Sequence, residues 1–191
     1  MYFIYNILSG CLPKDICSHN NLQRLKRLSL HSNKLEGDIP LSLGQCTQLE
    51  SIDLSNNNFG GNVPREIGNI TQLKELRLSW NNLKGDIPKE IGYLNYLEVL
   101  SMSNNKFSGR LPRQLWNVTT LRLLYIANIS LTGGIPKEIG NLNNLEILAM
   151  SSNNLSGPFP RQILNITSLR QLYLGGTSLN GMSALLFKPK L

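Results

Sequence analysis

The sequence predicts an α/β solenoid, a right-handed, curved and horseshoe-like superhelix with parallel strands on its concave face. One reason is that glycine recurs every 24 residues, at Gly37, Gly61, Gly85, Gly109, Gly133, Gly157 and Gly181. The other is that apolar residues alternate within each repeat, as in Leu28 and Leu30, which indicates a short strand with one buried face. A single repeat cannot bury its own leucines, so neighbouring repeats must cover them.

The repeats share the pattern LxxLxLxxNxLxGxIPxxIGxLxx, and we count positions from the leucine that opens each one, such as Leu25. The glycine at position thirteen suits a backbone with positive φ, and the proline at position sixteen can open a short helical turn. An inward asparagine at position nine is expected to satisfy turn backbone groups of its own coil and the next. This asparagine ladder comprises Asn33, Asn57, Asn81, Asn105 and Asn153, and it is interrupted by Ile129 and Thr177.

The chain divides into a partial repeat with an irregular insertion (1–24), six full repeats (25–168) and a partial terminal repeat (169–191). Met1 and Phe3 fall on strand positions, so the sequence starts inside a repeat, and we interpret it as a fragment or a truncated gene product. No kinase domain, signal peptide or transmembrane helix is expected, because MYFIYNIL lacks a basic region and no apolar run reaches about 20 residues.

Three cysteines occur, and they do not define a redox compartment by themselves. Cys46 occupies a core leucine position and is expected to act as a small buried hydrophobic residue. Cys11 and Cys17 could pair with each other.

The net charge of +7 raises the question of nucleic-acid binding. The cations are spread along the chain, however, and a column of them at position seventeen indicates a solvated flank rather than a nucleic-acid site. Catalysis, cofactors and metals are also not expected, because the only histidines are His19 and His31 and no catalytic or metal-ligand spacing appears. The position-seventeen column comprises Arg65, Lys89, Arg113, Lys137 and Arg161.

Five sequons for N-glycosylation lie at Asn69, Asn117, Asn128, Asn154 and Asn165. Their number is close to chance, but Asn69, Asn117 and Asn165 are spaced 48 residues apart at the same repeat position. In a secreted chain, glycans there would line one flank at every second coil. Duplication of repeat pairs would also copy the sequon, so the spacing alone does not require glycans.

A ligand-binding surface is expected on the inner strand face, at positions three, five, seven and eight, where side chains are not needed for packing. Early repeats are polar there, whereas Val99, Leu123 and Ile147 should form an exposed apolar row beside Tyr125. Contiguous apolar surface with aromatic residues and arginine is typical of interfaces. The alternatives are drifted surface residues or packing against a missing segment. The residues predicted to bind are Arg77, Trp80, Val99, Leu123, Tyr125, Ile147 and Tyr173.

The phrases SNNNFGGNVPREIGNITQLKEL and NNLKGDIPKEIG resemble the plant-type leucine-rich repeat, in particular the ectodomains of plant leucine-rich-repeat receptor kinases of the immune-receptor subfamily. The resemblance covers about residues 6 to 181. It implies a parent protein at the plasma membrane whose extracellular repeats bind a peptide or protein ligand and a leucine-rich-repeat co-receptor. A cytoplasmic kinase domain outside this chain would transmit the signal, and the resemblance implies a role in defence signalling.

Two other interpretations remain open. The chain also resembles the secreted polygalacturonase-inhibiting proteins, which share this repeat and act as soluble inhibitors. A non-functional truncated gene product is the third possibility.

Overall fold

The computed structural model describes residues 1–18 and 22–181, so His19 and the end of the terminal repeat lie outside the described residues. Seven parallel strands form one sheet, in which each strand pairs with the corresponding strand of the next coil. These strands are Arg27–Ser29, Ser51–Asp53, Glu75–Arg77, Val99–Ser101, Leu123–Tyr125, Ile147–Ala149 and Gln171–Tyr173. The fold is therefore the predicted leucine-rich-repeat solenoid.

The pairing register puts equivalent residues side by side. Leu28 pairs with Ile52 and Ile52 with Leu76, and all three are buried. Tyr2 also forms a parallel bridge to Ser29, which places Met1 and Phe3 at the strand positions predicted for them. Because each coil contributes apolar side chains at the same depth, the core is one continuous column along the solenoid.

Each full repeat continues from the concave strand into a second strand of two to five residues and then a 3₁₀ helix. The second strands are Ser9–Cys11, Lys34–Asp38, Asn58–Gly60, Lys84–Gly85, Lys106–Phe107, Thr132–Gly133, Asn154–Pro158 and Ser178–Asn180. The 3₁₀ helices are Leu41–Gln45, Arg65–Asn69, Lys89–Tyr93, Arg113–Asn117, Lys137–Asn141 and Arg161–Asn165. As predicted, a proline stands immediately before each of these helices. No helix among the described residues has the length and apolar character needed to cross a membrane.

The recurring glycine at position thirteen is required by backbone geometry. Gly61 has a φ of 63°, in the left-handed region that residues with a Cβ rarely adopt. An added Cβ at Gly61 would also collide with the carboxylate of Asp38 in the preceding coil. The backbone angle therefore favours glycine there, and a larger residue would also have to displace the Asp38 side chain.

The asparagine ladder joins each coil to the preceding one, not to the next as the sequence suggested. Asn81 donates through Nδ2 to the carbonyl of Leu78 in its own coil at 3.1 Å and to that of Leu54 in the preceding coil at 3.0 Å. Its Oδ1 accepts the backbone N–H of Phe59, also in the preceding coil, at 3.0 Å. Asn57, Asn105 and Asn153 repeat this arrangement.

The ladder is rearranged where Ile129 replaces asparagine. Ile129 is fully buried and offers no amide, so the Phe107 N–H lacks the side-chain acceptor that Phe59 has. The turn also carries an additional left-handed residue, Ser130, with a φ of 58°. At the other interruption, the Thr177 hydroxyl donates to the Leu174 carbonyl and replaces one of the missing hydrogen bonds.

The cysteine predictions were wrong. Cys46 forms a disulfide with Cys17, 29 residues earlier, whereas Cys11 is free and exposed. Cys46 is indeed buried at a core position, but Cys17 packs against it there because both side chains face the core. The bond links the segment that precedes the first full repeat to the residue that follows the 3₁₀ helix Leu41–Gln45 of that repeat.

Position two carries charges of alternating sign along the edge of the concave sheet. Glu50 lies 3.1 Å from Lys26 and 3.2 Å from Lys74, and Arg122 lies 2.7 Å from Glu146. Hydrogen bonds from the two lysines lower the pKa of Glu50, so any stabilisation from this carboxylate is present at neutral pH and is lost as the pH falls through that lowered pKa. The column consists of Lys26, Glu50, Lys74, Glu98, Arg122, Glu146 and Arg170.

Replacing a ladder amide should destabilise the fold strongly. We expect Asn81→Leu to lower the free energy of unfolding by about 1–3 kcal/mol, because buried backbone groups of two coils lose their partners. Urea unfolding measures the change. The matched control is Asn82→Leu, the same substitution at the adjacent exposed residue, which should change stability by less than about 0.5 kcal/mol. Equal effects of the two substitutions would contradict the role of the ladder.

Breaking the disulfide should also destabilise the first coil. The chain-entropy model gives a loss of about 3.6 kcal/mol for a loop of this size, which we expect for Cys46→Ala in thermal unfolding. Cys11→Ser is the control and should leave the melting temperature unchanged. Thiol titration of the unfolded, unreduced protein should find the single free thiol of Cys11; three free thiols would rule out the bond.

Candidate ligand-binding face

The strand register brings the predicted apolar row together on the concave sheet. Val99 pairs with Leu123, and Leu123 pairs with Ile147. The expectation that the whole row is exposed was wrong, however, because Val99 is only 7% exposed, while Leu123 and Ile147 are half-buried. Val99 stands between Glu75 and Leu123 in the sheet, and these longer side chains flank its short one. The row therefore offers a shallow apolar floor that begins at Leu123.

The two tyrosines of the predicted site flank the small side chain of Ala149. Tyr125 pairs with Ala149, and Ala149 pairs with Tyr173. Tyr125 is half-buried, and Tyr173 is 49% exposed. Both rings belong to the sheet face rather than to the core, and they extend the apolar floor toward the last described coil.

An open depression of about 450 Å³ lies on this face and contains three of the predicted residues, Arg77, Trp80 and Tyr125. Val99, Leu123, Ile147 and Tyr173 lie outside it. The depression also contains five polar residues: Ser55, Asn56, Ser79, Ser101 and Ser103. Their positions in the repeat place them on the concave face, but which of them border a depression depends on the size of the neighbouring side chains.

Trp80 has an unusual backbone conformation for a large residue. Position eight is left-handed in every described full repeat, and the other repeats use serine or asparagine there, such as Asn56 and Ser152. Trp80 has a φ of 59° and is 63% exposed. The left-handed conformation is unfavourable for an aromatic residue. Because the ring is exposed, its burial does not offset this strain. Such strain at an exposed aromatic residue points to a functional role for the side chain.

The polar groups of the depression are mostly organised before any ligand arrives. The Ser79 and Ser101 hydroxyls are 2.7 Å apart, and Ser103 Oγ accepts the N–H of Ala127 at 3.0 Å. The Arg77 guanidinium uses Nε toward Glu75, at 3.3 Å. Among the described residues its other N–H groups have no hydrogen-bond acceptor, so they could donate to a carbonyl or carboxylate, although Glu75 neutralises part of the charge of Arg77.

The five sequon asparagines are all exposed. Asn69, Asn117 and Asn165 each end a 3₁₀ helix, on the opposite side of the coil from the concave sheet. Asn128 differs, because it lies at the edge of the concave face and donates to Asn104 Oδ1 at 2.9 Å. Asn154 opens one of the second strands. The described residues include no group of three or more His, Cys, Asp or Glu side chains positioned to hold a metal ion.

Comparison with known proteins agrees with this architecture. The family model for a leucine-rich repeat region matches residues 56–184, and a second model, for two leucine-rich-repeat copies, matches residues 23–60. No curated protein sequence matches significantly. Residues 56–184 are more than half of the chain.

Several solved structures of plant receptors resemble the chain closely. The PEPR1–AtPEP1 structure has a TM-score of 0.89 and 33% identity, over 94% of this chain and 25% of that one. A TDR receptor has a TM-score of 0.85 and 33% identity, over 91% and 30%. The Arabidopsis receptor kinase HAESA, in complex with the peptide hormone IDA and the co-receptor SERK1, has a TM-score of 0.72 and 32% identity, over 94% and 34%.

The chain spans about a quarter to a third of the length of these receptor structures. The structural similarity nevertheless covers 91–94% of this chain. The chain therefore belongs to the leucine-rich-repeat family, and its solenoid is of the kind found in the ectodomains of plant receptor kinases.

Proposed function

We propose that this chain is an extracellular recognition module of a plant receptor kinase, which binds a peptide or protein ligand on its concave face. The observation that carries this proposal is the depression in which Arg77, Tyr125 and the strained, exposed Trp80 meet. Aromatic residues provide large contact areas at low entropic cost, and arginine can bind carbonyl or carboxylate groups. Similarity to receptors solved with a peptide hormone supports a ligand of the same general class.

In this proposal, the half-buried Leu123 and Ile147 extend the floor beyond the depression, and Tyr173 contacts the far end of the ligand. Val99 supports the floor from below rather than touching the ligand, because its side chain is covered. The serine hydroxyls around Trp80 would form the polar rim that surrounds an interface core. We assign six full recognition repeats to residues 25–168.

An extracellular setting at the plasma membrane is part of the proposal. The Cys17–Cys46 disulfide supports it, because such bonds persist in oxidising compartments and are rare in the cytosol. The exposed and regularly spaced sequons Asn69, Asn117 and Asn165 are consistent with glycosylation there. A leucine-rich-repeat co-receptor would bind alongside, and a kinase elsewhere in the parent protein would transmit a defence signal.

A soluble inhibitor of the polygalacturonase-inhibiting type is the second candidate, because it would use the same repeats and the same secretory setting. It would bind a folded enzyme rather than an extended peptide. Sequencing of the transcript that encodes this chain distinguishes the two: a downstream membrane helix and kinase support the receptor, and a cysteine cap followed by a stop codon supports the inhibitor.

Substitutions in the apolar floor should weaken ligand binding, whereas a substitution on the opposite side of the solenoid should not. Peptides selected from a displayed random library against the disulfide-bonded chain provide the probe, and calorimetry measures their affinity. We expect Tyr125→Ala and Leu123→Asp to weaken binding at least tenfold, or by at least about 1.4 kcal/mol, because truncating a central anchor typically costs roughly 2 kcal/mol or more. Lys137→Ala on the opposite side should have no effect. Equal affinities for all three variants would place the site elsewhere.

Trp80→Asn should affect stability and binding in opposite directions. Asparagine tolerates the left-handed conformation, so we expect the free energy of unfolding to rise by about 1 kcal/mol. The same change should remove most affinity for the selected peptides. Tyr96→Asn is the control, because Tyr96 is an exposed aromatic residue without positive φ, and it should produce neither effect. A destabilised Trp80→Asn variant would contradict the assignment of strain.

A further inference from the structure

The 3₁₀ helices of neighbouring coils usually touch through a glycine at position twenty. An added Cβ at Gly68 would collide with Glu90, and one at Gly92 would collide with the backbone of Gln114. The glycine therefore allows direct contact between successive helices on the outer side of the solenoid. Trp116 occupies this position in the helix Arg113–Asn117, where no such contact is possible.

Trp116 separates its helix from the next one, Lys137–Asn141. The indole is 1% exposed and belongs to the hydrophobic core, so it does not project into solvent, and its bulk stands where other coils have a glycine. The backbone before the next helix also differs. The ψ angle of Pro136 is 161°, whereas that of Pro88, the equivalent residue two coils earlier, is 134°. The insertion leaves a groove of about 380 Å³ above the indole. This volume is at the lower end of the roughly 300–1,000 Å³ of small-molecule sites.

The groove is lined by polar side chains that have no partner. Arg113, Gln114, Asn117 and Glu138 make no side-chain hydrogen bond or ion pair with any residue in the described ranges. Pro136 provides apolar surface that a ligand can reach, whereas the indole of Trp116 lies beneath the groove and is almost fully covered. A guanidinium, two amides and a carboxylate around a small apolar surface suit an amphipathic ligand with hydroxyl and acetamide groups, such as an N-acetylated sugar.

One such ligand could be attached to the groove itself. Asn117 is the acceptor of the sequon Asn117–Val118–Thr119, it is exposed, and it lines the groove. We propose that the groove beside Trp116 binds the inner N-acetylglucosamine residues of a glycan that is attached to Asn117. The proposal rests on the extracellular setting proposed above. Attachment forms the bond between C1 of the sugar and Nδ2 of Asn117, with loss of one amide proton and departure of the diphosphate of a lipid-linked oligosaccharide donor.

The other two sequons of this column provide internal comparisons. Asn69 follows Gly68, where the next helix packs closely and leaves no separation for a sugar. Asn165 follows Leu164, whose side chain is 59% exposed. A glycan at either position would extend into solvent, whereas the glycan at Asn117 would bridge two coils.

The test compares enzymatic glycan release at the three sites. The chain is secreted from plant cells, and the native glycoprotein is treated with peptide-N-glycosidase while mass spectrometry follows each site. We expect release at Asn117 to be at least tenfold slower than at Asn69 and Asn165, a difference of about 1.4 kcal/mol in favour of the seated glycan. After denaturation, the three rates should be equal.

Two variants establish the cause. Trp116→Gly restores the usual residue and should close the groove, so that release at Asn117 becomes as fast as at the other sites. Thr119→Ala, which removes only the sequon, should lower the melting temperature more than the matched variants Thr71→Ala and Thr167→Ala. An unmodified Asn117, or equal release rates in the native protein, would overturn the proposal. If all sites are unmodified in secreted material, the extracellular glycoprotein assignment fails as well; equal rates at occupied sites contradict only the groove.

Discussion

The structure depends on the satisfaction of backbone groups between coils. Every coil exposes turn carbonyls and N–H groups to its neighbour, and burying one of them unpaired would cost about 1–3 kcal/mol. The asparagine amide solves this problem because one side chain both donates and accepts, as Asn153 does toward the Ile126 carbonyl and the Leu131 N–H. With the stacking fixed in this way, the core leucines meet at the same depth in every coil.

This division of roles leaves the concave side chains free. The strand backbone is used for pairing and every second side chain for the core, so the residues between them can vary without affecting the fold. The repeats use this freedom unevenly, with Ser51 and Asp53 in an early strand and Leu123 and Tyr125 in a later one. Recognition is expected to depend on the variable residues, because the fold itself hosts many functions.

The sequence predicted the strand register, the glycine conformations and the ladder, because each follows from a local pattern repeated in every coil. It did not predict the Cys17–Cys46 bond, since pairing depends on how the irregular segment before the first full repeat folds back. Burial of Val99 was missed because it depends on the sizes of neighbouring side chains in the sheet. The strain at Trp80 became apparent only when its φ could be compared with that of Asn56 and Ser152.

The central claim is that the depression around Trp80 is where a ligand binds, and tryptophan fluorescence tests it directly. The chain has two tryptophans, and Trp116 is buried, so acrylamide quenching reports mainly on Trp80. A peptide selected for binding should protect Trp80 and reduce the quenching constant in proportion to saturation. Unchanged quenching at saturating peptide would show that the ligand binds elsewhere and would contradict the account.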